Sequence, residues 1–172
     1  TDGLTGLLNH RAFNQILQSE MATAVRKDIS LSIIFLDIDH FKSYNDNFGH
    51  VAGDRVLEQF AKVLKRELRS SDHVARYGGE EFGIIVPSAD EEMAIRIAEH
   101  LRDAMRMESW PNRPITASIG VAQWNDAVNS EQEFVHFADL ALYAAKAQGR
   151  DRVVAFSSLS DSWRCTTASA RA

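Results

Sequence analysis

A chain of 172 residues with 45% hydrophobic content has the size and apolar fraction of one globular domain with a core, which sets aside disorder and a disulfide scaffold. Its 19 Lys and Arg against 24 Asp and Glu leave a formal charge of −5, the wrong balance for a general nucleic-acid binder, so no nucleic-acid polymer is expected as a partner. No apolar run is long enough to cross a bilayer, no signal-peptide pattern occurs, and the single Cys165, in a polar tail, suits a reducing cytoplasm. Thr1 opens the sequence without a Met, so the chain reads as a piece of a longer protein, whose upstream region would be regulatory and could carry a membrane anchor.

From Asn9, a plausible N-cap, to about Asp28, the residues Phe13, Ile16, Leu17, Met21 and Val25 recur at helical spacing. A short β-branched strand, Leu31 to Leu36, ends in Asp37-Ile38-Asp39. Residues 40–50 read as a polar loop, and a second helix runs from about Val51 to Leu68 with Val56, Leu57, Phe60, Val63 and Leu64 on one side. A hairpin follows, pairing His73–Arg76 with Phe82–Val86. Gly78-Gly79 suits a two-residue connection, because glycine accepts the positive φ that such turns require. A third helix covers Asp90 to Met107, a strand Ile115 to Gln123, and a last helix Glu131 to Ala147, with Gly149 as its C-terminal cap. The edge-like run Arg152 to Phe156 closes the domain at residues 1–156, and residues 157–172 read as a mobile tail. Helices alternate with strands around a hairpin, which implies a mixed sheet.

Four places carry chemistry. Glu80 and Glu81 stand at the start of an apolar strand, where adjacent like charges repel unless a cation lies between them. Asp37, after four apolar residues, belongs at the carboxyl end of a strand, where open α/β sheets place ligands. If the two strands are neighbours, Asp37, the Ile38 carbonyl and Glu80 supply the hard oxygens that Mg²⁺ takes, and Mg²⁺ at such sites accompanies nucleotide phosphate. The segment between His40 and Asp54 adds Lys42 as a local positive charge and backbone amides able to cradle phosphate. Asn45 and Asp54 have the groups that complement guanine. Lys146 and Arg150 close the last helix, where they either oppose its dipole or hold a triphosphate. No P-loop and no zinc spacing occurs.

The runs Asp2-Gly3-Leu4-Thr5-Gly6-Leu7-Leu8-Asn9, Leu36-Asp37-Ile38-Asp39-His40-Phe41-Lys42, Asn45-Asp46 through Gly49-His50 to Gly53-Asp54, Arg76-Tyr77-Gly78-Gly79-Glu80-Glu81-Phe82, Ala117 to Ala122, and Ala138-Asp139 through Tyr143 to Lys146 and Gly149-Arg150 resemble the GGDEF family of diguanylate cyclases, in its GGEEF variant. The resemblance covers residues 1 to about 156. It implies an α/β (α+β) fold like the nucleotidyl cyclase and polymerase palm, a five-stranded mixed sheet flanked by helices with the signature on a β-hairpin. The implied reaction is condensation of two GTP to cyclic di-GMP with release of two pyrophosphates, Mg²⁺- or Mn²⁺-dependent, in a homodimer of domains under an N-terminal sensory or regulatory domain.

Position by position, the resemblance makes Asp37, the Ile38 carbonyl, Glu80 and Glu81 metal ligands, with Glu80 also the first choice for drawing the proton from the 3′-hydroxyl. Lys42 offsets phosphate charge, with backbone amides near His40 and Phe41. Asn45 and Asp54 read guanine, with His50 nearby, and Lys146 and Arg150 clamp the triphosphate. Arg69-Ser70-Ser71-Asp72 resembles the inhibitory site that binds product dimers, with His100, Arg96 or Arg102 as a supporting group. A non-catalytic domain that binds cyclic di-GMP or GTP is the alternative.

Overall fold

Every residue of β1 (Leu31–Ile38) is buried, on both faces of the strand, and this places β1 at the centre of a five-stranded sheet of order β2-β3-β1-β4-β5. The computed structural model describes residues 1–126 and 128–162. In chain order the remaining elements are α1 (His10–Lys27), α2 (Phe41–Phe48), α3 (His50–Glu67), β2 (His73–Arg76), β3 (Glu81–Pro87), α4 (Glu91–Met107), β4 (Ala117–Gln123), α5 (Glu131–Ala147) and β5 (Val153–Ala155). Pairings of β1 with β3, β1 with β4 and β2 with β3 are antiparallel, and β4 pairs with β5 in parallel, so the sheet is mixed as the α+β reading requires.

Alternation along β1 builds two cores. Ile34, Leu36 and Ile38 face Val56, Leu57 and Phe60 of α3 and Ala98 and Leu101 of α4. Leu31, Ile33 and Phe35 face Phe13 and Leu17 of α1 and Phe134, Ala138 and Leu142 of α5. Side-chain caps start three of the helices: Asn9 accepts from the Ala12 amide (2.9 Å), Asp90 from Met93 (2.8 Å) and Ser130 from Glu133 (3.1 Å). Gly120 lets α5 lie directly on β4, since a Cβ there would stand 2.3 Å from the Leu142 nitrogen and 2.4 Å from the Ala138 carbonyl.

Two sequence expectations are corrected. Residues 41–48 are a helix rather than a loop: Phe41 and Tyr44 bury one side of two short turns, and His40, at φ 58°, enters it with no side-chain cap to announce it. Gly78-Gly79 is not a two-residue turn with positive φ. The ladder ends at Arg76 opposite Phe82, the loop spans 77–80, and neither glycine has positive φ. A side chain explains Gly78 instead, because a Cβ there would meet Glu81 Oε2 at 2.6 Å.

Packing continues past residue 156. Phe156–Ser158 forms a 3₁₀ turn and Leu159 is buried with Leu140, Ala141, Ala144 and Val154. The mobile-tail expectation for residues 163–172, and Cys165 with it, lies outside the described residues.

Candidate active site

Asp37 pairs across the sheet with Glu81 on one side and Ser118 on the other. The Ile38 amide donates to the Glu80 carbonyl at 3.3 Å, so the end of β1 and the start of the signature strand are joined backbone to backbone. The acids of two distant segments therefore converge. Burial pushes the Asp37 carboxyl above the usual carboxylate range, with Glu81 and Asp39 adding to it and Lys146 opposing. Burial likewise raises Glu80, with Asp37 and Glu81 repelling its charge and Lys146 again opposing.

Lys146 reaches this cluster from the last turn of α5, its Nζ 2.7 Å from Asp37 Oδ2. The donor set suits a cation: a buried carboxylate holds one on a long, partly exposed side chain. No group of three or more His, Cys, Asp or Glu side chains among the described residues is drawn together closely enough to clasp a metal as it stands.

The other predicted residues divide. Lys42 is exposed on the first turn of α2, beside the amides of a helix start that no side chain caps. Phe41 puts its ring into the core, leaving only its backbone to face a ligand. Asn45 of α2 leans on the start of α3. Its Oδ1 is buried without a hydrogen-bond partner, and a Cβ on Gly53 would lie 1.8 Å from it. His50 and Asp54 are exposed, one turn apart at the start of α3. Arg150 is exposed just beyond α5, in left-handed backbone at φ 63°. Arg69 and Asp72 are not brought to this cluster. They form a tight turn, with the Arg69 amide donating to Asp72 Oδ2 at 3.0 Å, at the far end of β2 from the signature. A depression of about 230 Å³ beside them is lined also by Arg96 and His100, whereas Arg102 turns away to the Asp151 carbonyl.

Two supports escaped the sequence reading. Asp39, also buried, accepts from Ser118 Oγ (2.6 Å), Thr116 Oγ1 (2.7 Å) and the Asp151 amide (3.1 Å), tying the turn that carries Arg150 to the end of β1. Asp2 accepts from the amide and hydroxyl of Thr5 (2.8 and 2.7 Å) and pairs with Arg76 (3.4 Å), whose guanidinium also donates to the Gly79 carbonyl at 2.7 Å. The N-terminal turn thus braces the signature loop. An acid two residues past Asp37, on the same face, was the available signal for the first, and nothing local marked the second.

A family model described as "Diguanylate cyclase, GGDEF domain" matches residues 1–152. The chain belongs to the GGDEF family. Diguanylate cyclase DgcP of Pseudomonas aeruginosa is 42% identical over 157 residues, 89% of this chain and 23% of that protein. The probable diguanylate cyclase DgcC of Escherichia coli is 36% identical over 154 residues, 88% of this chain and 42% of that protein. The chain thus spans less than half the length of these curated relatives. Among solved structures, the GGDEF domain of DgcB from Caulobacter crescentus in complex with c-di-GMP superposes with a TM-score of 0.87 at 37% identity, covering 92% of this chain and 96% of that one. The active GGEEF domain of a diguanylate cyclase from Vibrio cholerae gives 0.83 at 33% identity, with 87% and 97% covered. No helix of this GGDEF domain, among the described residues, is long and apolar enough to cross a membrane.

Proposed function

We propose that this GGDEF domain condenses two GTP molecules into cyclic di-GMP, acting as a homodimer in which each domain holds one nucleotide. The observation that carries the reading is the pairing of Asp37 with Lys146, with Glu81 opposite Asp37 on the neighbouring strand and Glu80 within reach of their charges. In each half-reaction the 3′-oxygen of one GTP bonds to the α-phosphorus of the other, the bond to the β-phosphate bridge breaks, and pyrophosphate leaves. The hydroxyl proton passes to a base, and Glu80 is assigned that role because burial and its acidic neighbours make its carboxylate more basic than an ordinary glutamate. Bound Mg²⁺ or Mn²⁺, held by Asp37, Glu80, Glu81 and the Ile38 carbonyl, would stabilise charge on the attacking and leaving oxygens. Lys146, released from Asp37, and Arg150 neutralise the departing pyrophosphate, with Lys42 and the amides around Phe41 on the inner phosphates.

Asn45 and Asp54, with His50 at their edge, are assigned to guanine, the Asn45 amide to its O6 and N7 acceptors and the Asp54 carboxylate to its N1–H and N2–H₂ donors. Arg69 and Asp72, with Arg96 and His100, are assigned to product feedback, because a planar Arg fork pairs with both guanine and phosphate. A region outside residues 1–156 would supply the regulatory input. Incubation of purified protein with GTP and Mg²⁺, followed by chromatography, tests the reading. Appearance of cyclic di-GMP is expected. Unchanged GTP at high protein concentration, with cyclic di-GMP still bound, would assign the domain to the receptor class.

A further inference from the structure

The turn that delivers Arg150 is built from three consecutive residues in left-handed backbone: Gly149 (φ 116°), Arg150 (φ 63°) and Asp151 (φ 46°). Glycine adopts that region freely, whereas Arg and Asp do so at a cost, because a Cβ crowds the following carbonyl. Such a turn persists only where its surroundings hold it. The Arg150 side chain is exposed, so the backbone beneath it decides from where the guanidinium reaches out.

Both polar groups of the Asp151 backbone are held. Its amide donates to Asp39 Oδ2 at 3.1 Å, and its carbonyl accepts from Arg102 Nη1, also at 3.1 Å. Asp39 directly follows β1, whereas Arg102 belongs to α4, so this peptide is clamped from the sheet on one side and from a helix on the other. Arg106, one turn further along α4, adds a longer pair from its Nη1 to Asp151 Oδ2 at 3.7 Å. Charge balance does not require Arg102 to reach this far. Glu99 at 2.9 Å and Asp103 at 3.2 Å, both on α4, already face its guanidinium. The N–H group left over goes to a carbonyl 49 residues away in sequence, at the strained turn, where a planar fork can serve its helix neighbours and the turn at once.

We infer that Arg102 is a positioning residue for the nucleotide site: by gripping the Asp151 carbonyl it keeps Arg150 directed at the outer phosphates of GTP. The inference rests on the assignment of Arg150 to the triphosphate. The test uses the 172-residue chain with Mg²⁺ and a GTP analogue whose α–β bridge is a methylene, so that binding is read by calorimetry without turnover. GMP, which lacks the two outer phosphates, is the control ligand. Arg150→Ala should weaken the analogue about tenfold, and Arg102→Met, which keeps the apolar stem, about threefold or more. GMP should bind Arg102→Met as it binds the parent. In the double variant the affinity should be no lower than in Arg150→Ala alone, because Arg102 acts only through Arg150. Arg102→Lys, which keeps the charge between Glu99 and Asp103 but not the forked reach, should weaken the analogue in the same selective way and serves should Arg102→Met fail to fold. Parent-like binding of the analogue by both Arg102 variants, with Arg150→Ala weakened, overturns the inference alone. An equal loss for GMP, or losses that multiply in the double variant, makes Arg102 a general support of the fold and overturns it too. Unchanged affinity in Arg150→Ala removes Arg150 from the triphosphate, and the inference falls with that assignment.

Discussion

A buried carboxylate held by the ammonium of a partly exposed lysine is the residue-scale feature on which the proposed chemistry turns. Asp37 and Glu80 are raised by burial, and such groups favour folding while protonated. That contribution is present below the unfolded carboxylate pKa and is lost as pH rises through the raised value. Asp2 has the opposite sign. Burial works against its charge, but Thr5 and Arg76 outweigh it and hold the carboxyl low, so its contribution is present at neutral pH and lost as pH falls through the lowered value. In the metal-free protein the Glu80 carboxyl, followed by NMR, should titrate above about 4.3, the ordinary glutamate value. A midpoint at or below that value contradicts the burial argument. Glu80→Gln should cut turnover by about 10²- to 10⁴-fold, the usual worth of a positioned base. Its melting temperature should hold or rise, since a repelled, half-buried charge is removed.

Elements approach one another here through glycines that a side chain would block. At Gly120 the obstacle is backbone of α5, which cannot rotate aside, so Gly120→Ala should lower the unfolding free energy by about 3 kcal/mol in urea titration. At Gly53 the obstacle is the Asn45 amide with the Phe41 ring behind it. Gly53→Ala should displace that amide and raise the KM for GTP about tenfold with little loss of stability, and an unchanged KM would remove Asn45 from the guanine site. Most element boundaries were legible because long amphipathic helices repeat their signal over several turns, as α3, α4 and α5 do. Helix α2 was not, since two turns of mostly polar residues offer only Phe41, Tyr44 and the exposed Phe48 as periodic anchors and lack a capping side chain at His40. The Gly-Gly turn was misread for a different reason. Arg76 and Glu81 hold that loop open from either side, and neither contact follows from turn preference.

Across the whole molecule, the acidic cluster and the Arg69 turn occupy opposite ends of β2, so the proposed product site would act without contact with the proposed reacting groups. Arg69→Ala should therefore leave initial turnover near the parent value while shifting the product concentration for half-inhibition upward by about tenfold. Equal product sensitivity in variant and parent would end the regulatory assignment. If each half-reaction joins nucleotides held on two domains, as proposed, turnover per domain should climb with protein concentration, and a rate strictly proportional to enzyme at all dilutions would contradict the dimeric mechanism.

Sequence alone determined the family and the chemical types at the site, because Asp37, Glu80, Glu81, Asn45, Asp54 and Lys146 each sit in a run whose order and spacing are local properties of the chain. It also determined that the sheet is mixed, since a tight hairpin among helix-linked strands admits little else. Only the tertiary structure decided that Lys146 rests on Asp37, that Asp39 fastens the Arg150 turn, that Asp2 braces Arg76, and that Arg102 grips the Asp151 carbonyl. These pairs lie far apart along the chain, and no periodicity or turn preference encodes such a meeting. They become neighbours only when the two hydrophobic faces of β1 have each gathered their helices.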